Sequence, residues 1–350
     1  MAEWGKVAVI GGGVAGLTLA VELARWGIEV WLIERQAVPG GWAARFFCKA
    51  TDQCQQCLAC RVHQLIDEAT KSPAIRWLLG TEVSQVQRQG RDFALTVKQA
   101  GKTERLFVQA AVLAVGFRVF SAEHRGEFGY RLYPRVLTGA DLEQALTQGA
   151  GFPIQGDKLK RIGFIQCVGS RDTALGRGYC SQVCCQTSIR QARVLRSQYP
   201  DAEINIFYLD LQAGSGNAVQ VRQSCQEARL NLVRGIPSRV YNRADGRLGL
   251  RLDPSLADRV AAEPYDLVVL ACGMVPTDGL EELARWFGWP LNSYGFLDNR
   301  PGCGFQGPVP GVFAVGACRG PLNISQSIAE GQAAALEILV WLESAVKTMV

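Results

Sequence analysis

The run Lys6-Val7-Ala8-Val9-Ile10, followed at once by Gly11-Gly12-Gly13-Val14-Ala15-Gly16, leaves few folds open. A short apolar run suits a parallel strand buried on both faces. Glycines in G-x-G-x-x-G order then suit a turn into a helix, and Leu17, Ala20, Val21 and Ala24 recur at helical spacing. Gly27 supplies the helix stop. A second apolar run, Ile28-Glu29-Val30-Trp31-Leu32-Ile33, ends on Glu34. Each part has a mechanical task. Gly11 makes the turn, Gly13 lets the backbone approach a pyrophosphate, and Gly16 lets helix and strand pack closely. The helix start at Val14 and Ala15 offers N–H groups to the phosphates, and Glu34 can hold ribose hydroxyls. Placed between strand and helix, the pattern predicts a dinucleotide site rather than a glycine-rich turn alone.

At 350 residues the chain has room for two packed domains. Its net charge of +5 comes from dispersed basic residues, so neither nucleic acid nor a membrane surface is an expected partner. No uncharged apolar run approaches the roughly 18 residues a spanning helix needs. The first residues lead straight into the opening strand and leave no room for a signal peptide, so a cytoplasmic location is expected. Against that background 12 cysteines are an excess. A reducing compartment disfavours structural disulfides, and clustered cysteines there point to metal or redox chemistry.

Four of them fall in a second strand–loop–helix–strand pattern. Arg161-Ile162-Gly163-Phe164-Ile165-Gln166 reads as a strand, Cys185, Ile189 and Ala192 as a helix face, and Ile204-Asn205-Ile206-Phe207-Tyr208-Leu209 as the next strand. The turn between them reads Cys167-Val168-Gly169-Ser170-Arg171-Asp172 and lacks the phosphate-cradling glycines. The helix begins Tyr179-Cys180-Ser181-Gln182-Val183-Cys184-Cys185. Cys167, Cys180, Cys184 and Cys185 thus make C-x12-C-x3-C-C. Four thiolates at one strand end and one helix start suit a [4Fe–4S] cluster. A structural zinc has the same ligand count, although adjacent cysteines are unusual there. The helix dipole would favour an anionic cluster, and Arg171, Arg177 and Arg190 are near enough in sequence to offset its charge.

Near the C-terminus, Gly311-Val312-Phe313-Ala314-Val315-Gly316-Ala317 precedes a helix with Ile328, Gly331, Gln332, Ala335 and Leu339 at helical spacing. This resembles the second FAD motif of the two-dinucleotide-domain flavoproteins related to thioredoxin reductase and glutathione reductase. That resemblance implies FAD at the first glycine motif, with Arg35, Gly41, Trp42, Val83, Gly116, Gly316 and Ala317 among its contacts. Ala317 replaces the Asp that holds the ribityl chain in that family. The helix start at Ile324 and Ser325 would face the pyrimidine end of the flavin and stabilise negative charge there. The implied fold is α/β with two Rossmann-like domains: a discontinuous FAD domain, 1–155 and 271–350, and an inserted domain, 156–270. In the reductases the inserted domain takes NAD(P)H; here cysteines stand in its place. The string Phe164–Asp172 and Tyr179–Cys185 resembles the heterodisulfide reductase flavoprotein (its A chain family), in which these four cysteines hold a [4Fe–4S] cluster. The compact length is similar to the short heterodisulfide-reductase-like proteins of sulfur oxidation. The resemblance implies an electron-transfer component, an oxidoreductase linking two-electron flavin to one-electron cluster steps in sulfur or disulfide metabolism. A homodimeric core and the other components of such a complex are the implied partners.

Cys48, Cys54, Cys57 and Cys60 form C-x5-C-x2-C-x2-C. Three readings stand: a second cluster, a dithiol exchanging sulfur, or packing residues. The dithiol reading belongs to an alternative function, an NAD(P)H-dependent disulfide oxidoreductase using a pair among Cys54, Cys57 and Cys60. Only His63 and His124 are present, neither in the C-terminal half, so the proton shuttle that glutathione-reductase relatives use is absent. Cys225, Cys272, Cys303 and Cys318 read as packing residues.

Overall fold

A computed structural model of the chain describes residues 5–47, 57–148, 159–212, 218–252, 264–299 and 304–347. Two compact units are present: Met1–Ala44, Cys57–Arg118 and Pro276–Val350 form the first, and Arg45–Gln56 and Val119–Val275 the second. Both are built on parallel sheets, an α/β architecture. In chain order the first unit opens with β1 (Val7–Ile10), helix α1 (Val14–Arg25), β2 (Val30–Glu34), α2 (Ala59–Lys71) and β3 (Ile75–Leu79). It continues with β4 (Thr81–Gln89), β5 (Asp92–Gln99), β6 (Lys102–Val108) and β7 (Ala110–Leu113). The chain leaves along β8 (Phe117–Val119). The second unit holds β9 (Val136–Thr138), α3 (Gly139–Gln148), β10 (Arg161–Val168), α4 (Cys184–Gln198), β11 (Glu203–Tyr208), α5 (Ala218–Glu227) and β12 (Leu230–Arg234). A hairpin of β13 (Arg239–Asn242) and β14 (Leu248–Arg251) precedes β15 (Leu267–Cys272). The chain returns by β16 (Met274–Pro276) and ends with α6 (Leu280–Trp286), β17 (Val312–Ala314) and α7 (Ile324–Lys347).

The sheet of the first unit runs β17-β7-β1-β2-β3, all parallel. Every residue of β1 and β2 is buried, as apolar strands covered on both faces should be. Strand order reverses at β1, and the crevice at such a reversal is where open α/β sheets bind ligands. The antiparallel sheet β4-β5-β6 covers one face. On the other, α1 and α7 cross closely, since a Cβ on Gly331 would stand 2.8 Å from the Ala15 carbonyl oxygen. The buried face of α7 is Ser327, Gly331, Ala334, Ala335, Ile338 and Leu342. It is rotated slightly from the expected stripe, and Gln332 is exposed, donating to Glu22 at 3.3 Å.

The sheet of the second unit runs β12-β11-β10-β15-β9, again parallel. Besides the short stretch Arg45–Gln56, the chain passes into this unit at Arg118/Val119, where the sequence suggested about 155. The cause is β9, which pairs with β15 over Val136–Thr138, and α3, which packs beside it. Phe47 also sits in this unit: Glu143 accepts its N–H at 2.8 Å, and Arg190 donates to its carbonyl at 3.0 Å.

Candidate functional site

The first glycine turn is shaped by steric necessity at two positions and left open at a third. Gly11 adopts φ +114°, and a Cβ there would lie 2.3 Å from the Ala114 carbonyl oxygen. At Gly16 a Cβ would lie 2.0 Å from the Gly11 carbonyl oxygen, so α1 can leave β1 this closely only with glycine. At Gly13, the N-cap of α1, nothing stands within 4 Å of a Cβ position. The helix has no side-chain cap and no acidic residue in its first turn. Its leading N–H groups have no intrahelical acceptor and suit an anion over the open space.

Glu34, at the end of β2, braces this turn. Its Oε2 accepts the Gly12 N–H at 2.7 Å and its Oε1 accepts the Gln36 N–H at 2.8 Å. Each oxygen keeps a lone pair for a ribose hydroxyl. Gly40 donates to the Gly12 carbonyl at 2.7 Å, which brings Gly41 beside Gly13. Trp42 donates its Nε1 proton to the Phe117 carbonyl at 3.2 Å and stacks on the Phe117 ring, next to Gly116. Arg35 is engaged with Thr277 Oγ1 at 2.9 Å, and Val83 packs against the core on the β4–β6 side.

Gly316 adopts φ +77° and abuts α1, where its Cβ would stand 2.7 Å from that of Ala15. Ala317 is buried and carries no carboxylate. A carboxylate arrives instead from α7, which begins at Ile324 and Ser325: Glu330 Oε2 accepts the Gly316 N–H at 2.7 Å, and its Oε1 lies 3.5 Å from Arg319. Helical spacing alone does not separate Glu330 from a solvent-facing acid, so the sequence carries no signal for it. Burial pushes its carboxyl upward, outweighing the downward pull of the Gly316 N–H and Arg319. A raised folded-state value means its contribution to stability is full below the unfolded value and is lost as pH rises through the folded one. Glu330→Gln keeps an acceptor and removes the titration. Its melting temperature relative to the parent should therefore climb between pH 4 and pH 8, and a pH-independent gap would contradict a buried, titrating carboxyl.

In the second unit, β10 runs into Cys167 and α4 starts at Cys184. Three non-glycine residues of this stretch, Cys167, Arg171 and Gln182, adopt φ of +61°, +55° and +61°. Left-handed backbone at such residues is strained and concentrates at functional sites. Burial, and then Cys185, push the Cys167 thiol up to about 12, against a downward pull from Arg171. Burial raises the Cys184 thiol well above its ordinary value, with Cys185, Cys167, Cys180 and Cys272 adding to it. Burial also raises Cys185, with Cys180 contributing. The four expected thiols therefore share one environment. Unliganded, Cys167, Cys184 and Cys185 stay protonated at neutral pH, and a strong cationic centre would favour their ionised forms. Cys180 Sγ accepts the Gln182 N–H at 3.3 Å. Among the described residues no group of three or more His, Cys, Asp or Glu side chains is placed to hold a metal ion.

Of the three arginines expected beside these thiols, one is. Arg171 lowers Cys167 and Cys185 while pairing with Asp210 at 2.6 Å. Arg177 instead lies over the Phe120 ring at 5.0 Å, and Arg190 forms a buried ion pair with Glu143. The turn glycine here is also unlike its counterpart. At Gly169 a Cβ would fall 2.1 Å from the Phe120 ring, so the position that is open at Gly13 is filled.

Cys57 is half-buried, and Cys60 is exposed in the first turn of α2; Cys48 and Cys54 lie outside the described residues. His63 is exposed on the same helix. Cys225 and Cys318 are buried, and the Cys318 thiol donates to the carbonyls of Val315 and Leu113 at 3.2 and 3.3 Å, so both fit packing roles. Cys303 lies outside the described residues. Cys272 packs against the core of the second unit, and its carbonyl accepts from the Cys184 thiol at 3.6 Å. No described helix is long and apolar enough to cross a membrane.

Residues 5–163 match the family model for pyridine nucleotide-disulphide oxidoreductases. The A component of the ferredoxin/F(420)H(2)-dependent CoB-CoM heterodisulfide reductase of Methanosarcina acetivorans is 26% identical over 95% of this chain and 53% of its own length. An iron-sulfur A component of the CoB–CoM heterodisulfide reductase of Methanopyrus kandleri is also 26% identical, over 94% of this chain and 63% of its own. The chain thus spans between half and two thirds of these relatives. Among solved structures, thioredoxin reductase of T. acidophilum superposes with a TM-score of 0.62 at 15% identity, covering 97% of this chain and 99% of that one. That likeness concerns the fold.

Proposed function

The chain is a homologue of the A component of heterodisulfide reductase, and from that premise we propose that it is a flavin and iron–sulfur electron-transfer member of a heterodisulfide-reductase-like complex. The first unit is the FAD domain and the second carries a [4Fe–4S] cluster on Cys167, Cys180, Cys184 and Cys185. The observation that carries this reading is the contrast between the two turns. Gly13 leaves open space over a helix N-terminus, whereas Gly169 is filled by Phe120 and followed by four thiols in one environment. The first turn fits a pyrophosphate. The second lacks room at the equivalent glycine for a nicotinamide dinucleotide's phosphates, but has the donor set a cubane needs. A cubane's four thiolates take four different irons, so they need not converge on one point as ligands of a single ion must.

Bound there, FAD supplies two-electron and the cluster one-electron chemistry. The protein's part is positional. Gly13, Val14 and Ala15 present the helix N-terminus to the pyrophosphate, Glu34 holds the glycine turn and accepts from the ribose, and Glu330 stands in at the second flavin strand for the acid missing at Ala317. Arg171 and the Gln182 N–H offset negative charge on the thiolates. By the same reading the complex acts on sulfur or disulfide compounds, in the cytoplasm, around a homodimer. The relatives are named for a heterodisulfide, and one is named for iron–sulfur content.

Anaerobically prepared protein should contain FAD with about four iron and four sulfide per chain. Cys184→Ser with Cys185→Ser should abolish the iron and leave FAD bound, because the two groups are held by separate units. Zinc as the only metal would sink the reading. Rapid bleaching of the flavin by NADH or NADPH alone would favour instead a disulfide oxidoreductase working through Cys54, Cys57 or Cys60.

A further inference from the structure

We propose that the outward face of the β13–β14 hairpin is a docking surface for an acidic protein partner, held by Arg239, Arg243, Arg247 and Arg251 around Tyr241. Such a surface is independent of the cluster and goes beyond the function proposed above.

These four arginines recur at every fourth position, a spacing that in a helix would spread them along its length. The hairpin gathers them instead. Val240 pairs with Leu250 and Asn242 with Leu248. Val240 and Leu248 are buried in the second unit's core with Phe128, Val233 and Tyr265, and Leu250 packs against it. Successive side chains of a strand point to opposite faces, so the alternate set points outward together. Arg239 lies directly opposite Arg251, and Tyr241 opposite Gly249. Where the chain turns, the Arg243 N–H donates to the Arg247 carbonyl at 2.9 Å. The Tyr241 ring crosses to the neighbouring strand, since a Cβ on Gly249 would stand 2.2 Å from its Cζ. Glycine there lets the ring lie between the two arginine pairs.

Arg239, Tyr241 and Arg251 are exposed. From Arg234 to Arg251 the chain carries five arginines and one acid, a net +4 against +5 for the whole chain. That acid, Asp245, is taken by Arg247 at 2.9 Å. Among the described residues no acid pairs with Arg239 or Arg251. Like charges directly opposite on one face destabilise a strand pair, and a two-stranded ribbon has little stability to spare. Carboxylates across an interface would remove that cost.

The chemistry favours a protein as their source. Guanidinium forks match carboxylates two bonds at a time, and arginine and tyrosine are residue types that carry interface energy. Strand N–H groups lie within the sheet plane rather than along the outward face, so they form no nest for a small phosphate. Nucleic acid needs a longer basic stripe, and outside Arg234–Arg251 the chain has a net charge of only +1.

The test measures binding of fluorescein-labelled poly-L-glutamate, about 20 residues long, to the full chain by anisotropy at about 0.1 M salt. Arg239→Gln with Arg251→Gln should weaken binding about tenfold or more. Arg88→Gln with Arg91→Gln removes the same charge from an exposed position in the first unit and should stay within about twofold of the parent. Arg251→Glu separates docking from folding. A carboxylate opposite Arg239 should raise the melting temperature by about 1–3 °C while binding is lost. If that variant loses stability and binding together, the arginines serve the fold and the proposal fails. Equal weakening by the two double variants, or a parent that does not bind, also overturns it. Tighter binding of a DNA duplex of about 20 base pairs, lost in Arg239→Gln with Arg251→Gln, would assign the face to nucleic acid instead. None of these outcomes depends on iron or flavin content.

Discussion

Arg190→Met should cost about 3–5 kcal/mol of stability in the second unit. Arg190 and Glu143 are 6% and 7% exposed in their side chains, and they form an ion pair between α4 and α3. Neither is alone in its pocket. Glu143 also accepts from Gln191 at 2.8 Å and from the Phe47 N–H, while Arg190 covers the Phe46 ring and donates to the Phe47 carbonyl. Removing the guanidinium leaves a carboxylate in a place with no water to solvate it, which is why one-sided loss of a buried pair is expensive. Adding Glu143→Leu to Arg190→Met should recover part of the loss. The remainder, about 1–3 kcal/mol, is the cost of leaving the Phe47 backbone groups without these partners, while the Gln191 amide keeps the Gly139 carbonyl. Denaturant unfolding of the three proteins measures this. A single variant no less stable than the double would show that the charge is not buried as described.

Gly16→Ala should be the most damaging single change to the first unit. Its methyl would meet the Gly11 carbonyl at 2.0 Å and the Ala114 side chain at 3.2 Å, and the first obstacle is backbone that cannot rotate away. Overpacking of this kind costs about 1–3 kcal/mol, occasionally more, and here it deforms the turn to which the proposed function assigns the pyrophosphate. Both apo stability and FAD binding should fall. Gly13→Ala is the informative partner. It meets no protein atom within 4 Å and its φ of −80° suits alanine, so the apo protein should lose no more than about 1 kcal/mol from a poorer N-cap. FAD affinity should still drop about tenfold or more, or about 1.4 kcal/mol upward, because the methyl occupies the phosphate's space. Melting with and without added FAD, together with flavin titration, separates the two. If Gly13→Ala binds FAD as the parent does, the open space is not the phosphate site.

Where an element is specified by neighbours in the chain, it is legible from spacing alone. β1, the glycine turn, α1, the Gly27 stop with φ +78°, and β2 ending on Glu34 all stand as their spacing predicts. The reason is local. Positive φ and close strand–helix approach exclude side chains at given positions, so the constraint is written in the residues themselves. The same holds for Cys167 at a strand end and for Cys184 and Cys185 at a helix start, whose closeness follows from one strand–loop–helix segment. Arg190 departs from its expected place because sequence proximity to the cysteines says nothing about α3, which brings Glu143 to meet it. The long stretch of the second unit begins at Val119 rather than near 156 because nothing in residues 119–148 announces that β9 will add to β15.

The sequence by itself thus determined two strand–turn–helix units, a glycine turn between the first strand and its helix, and four cysteines around the corresponding turn of the second. Tertiary structure decided what completes each site. It set Glu330 on the Gly316 N–H, filled the space at Gly169 with Phe120, and carried the Cys272 carbonyl to the Cys184 thiol. All three come from segments more than ten residues away, delivered by sheet order and helix crossing. Such contacts depend on which strands become neighbours, a choice made by burial of the whole sheet and not recorded in local spacing.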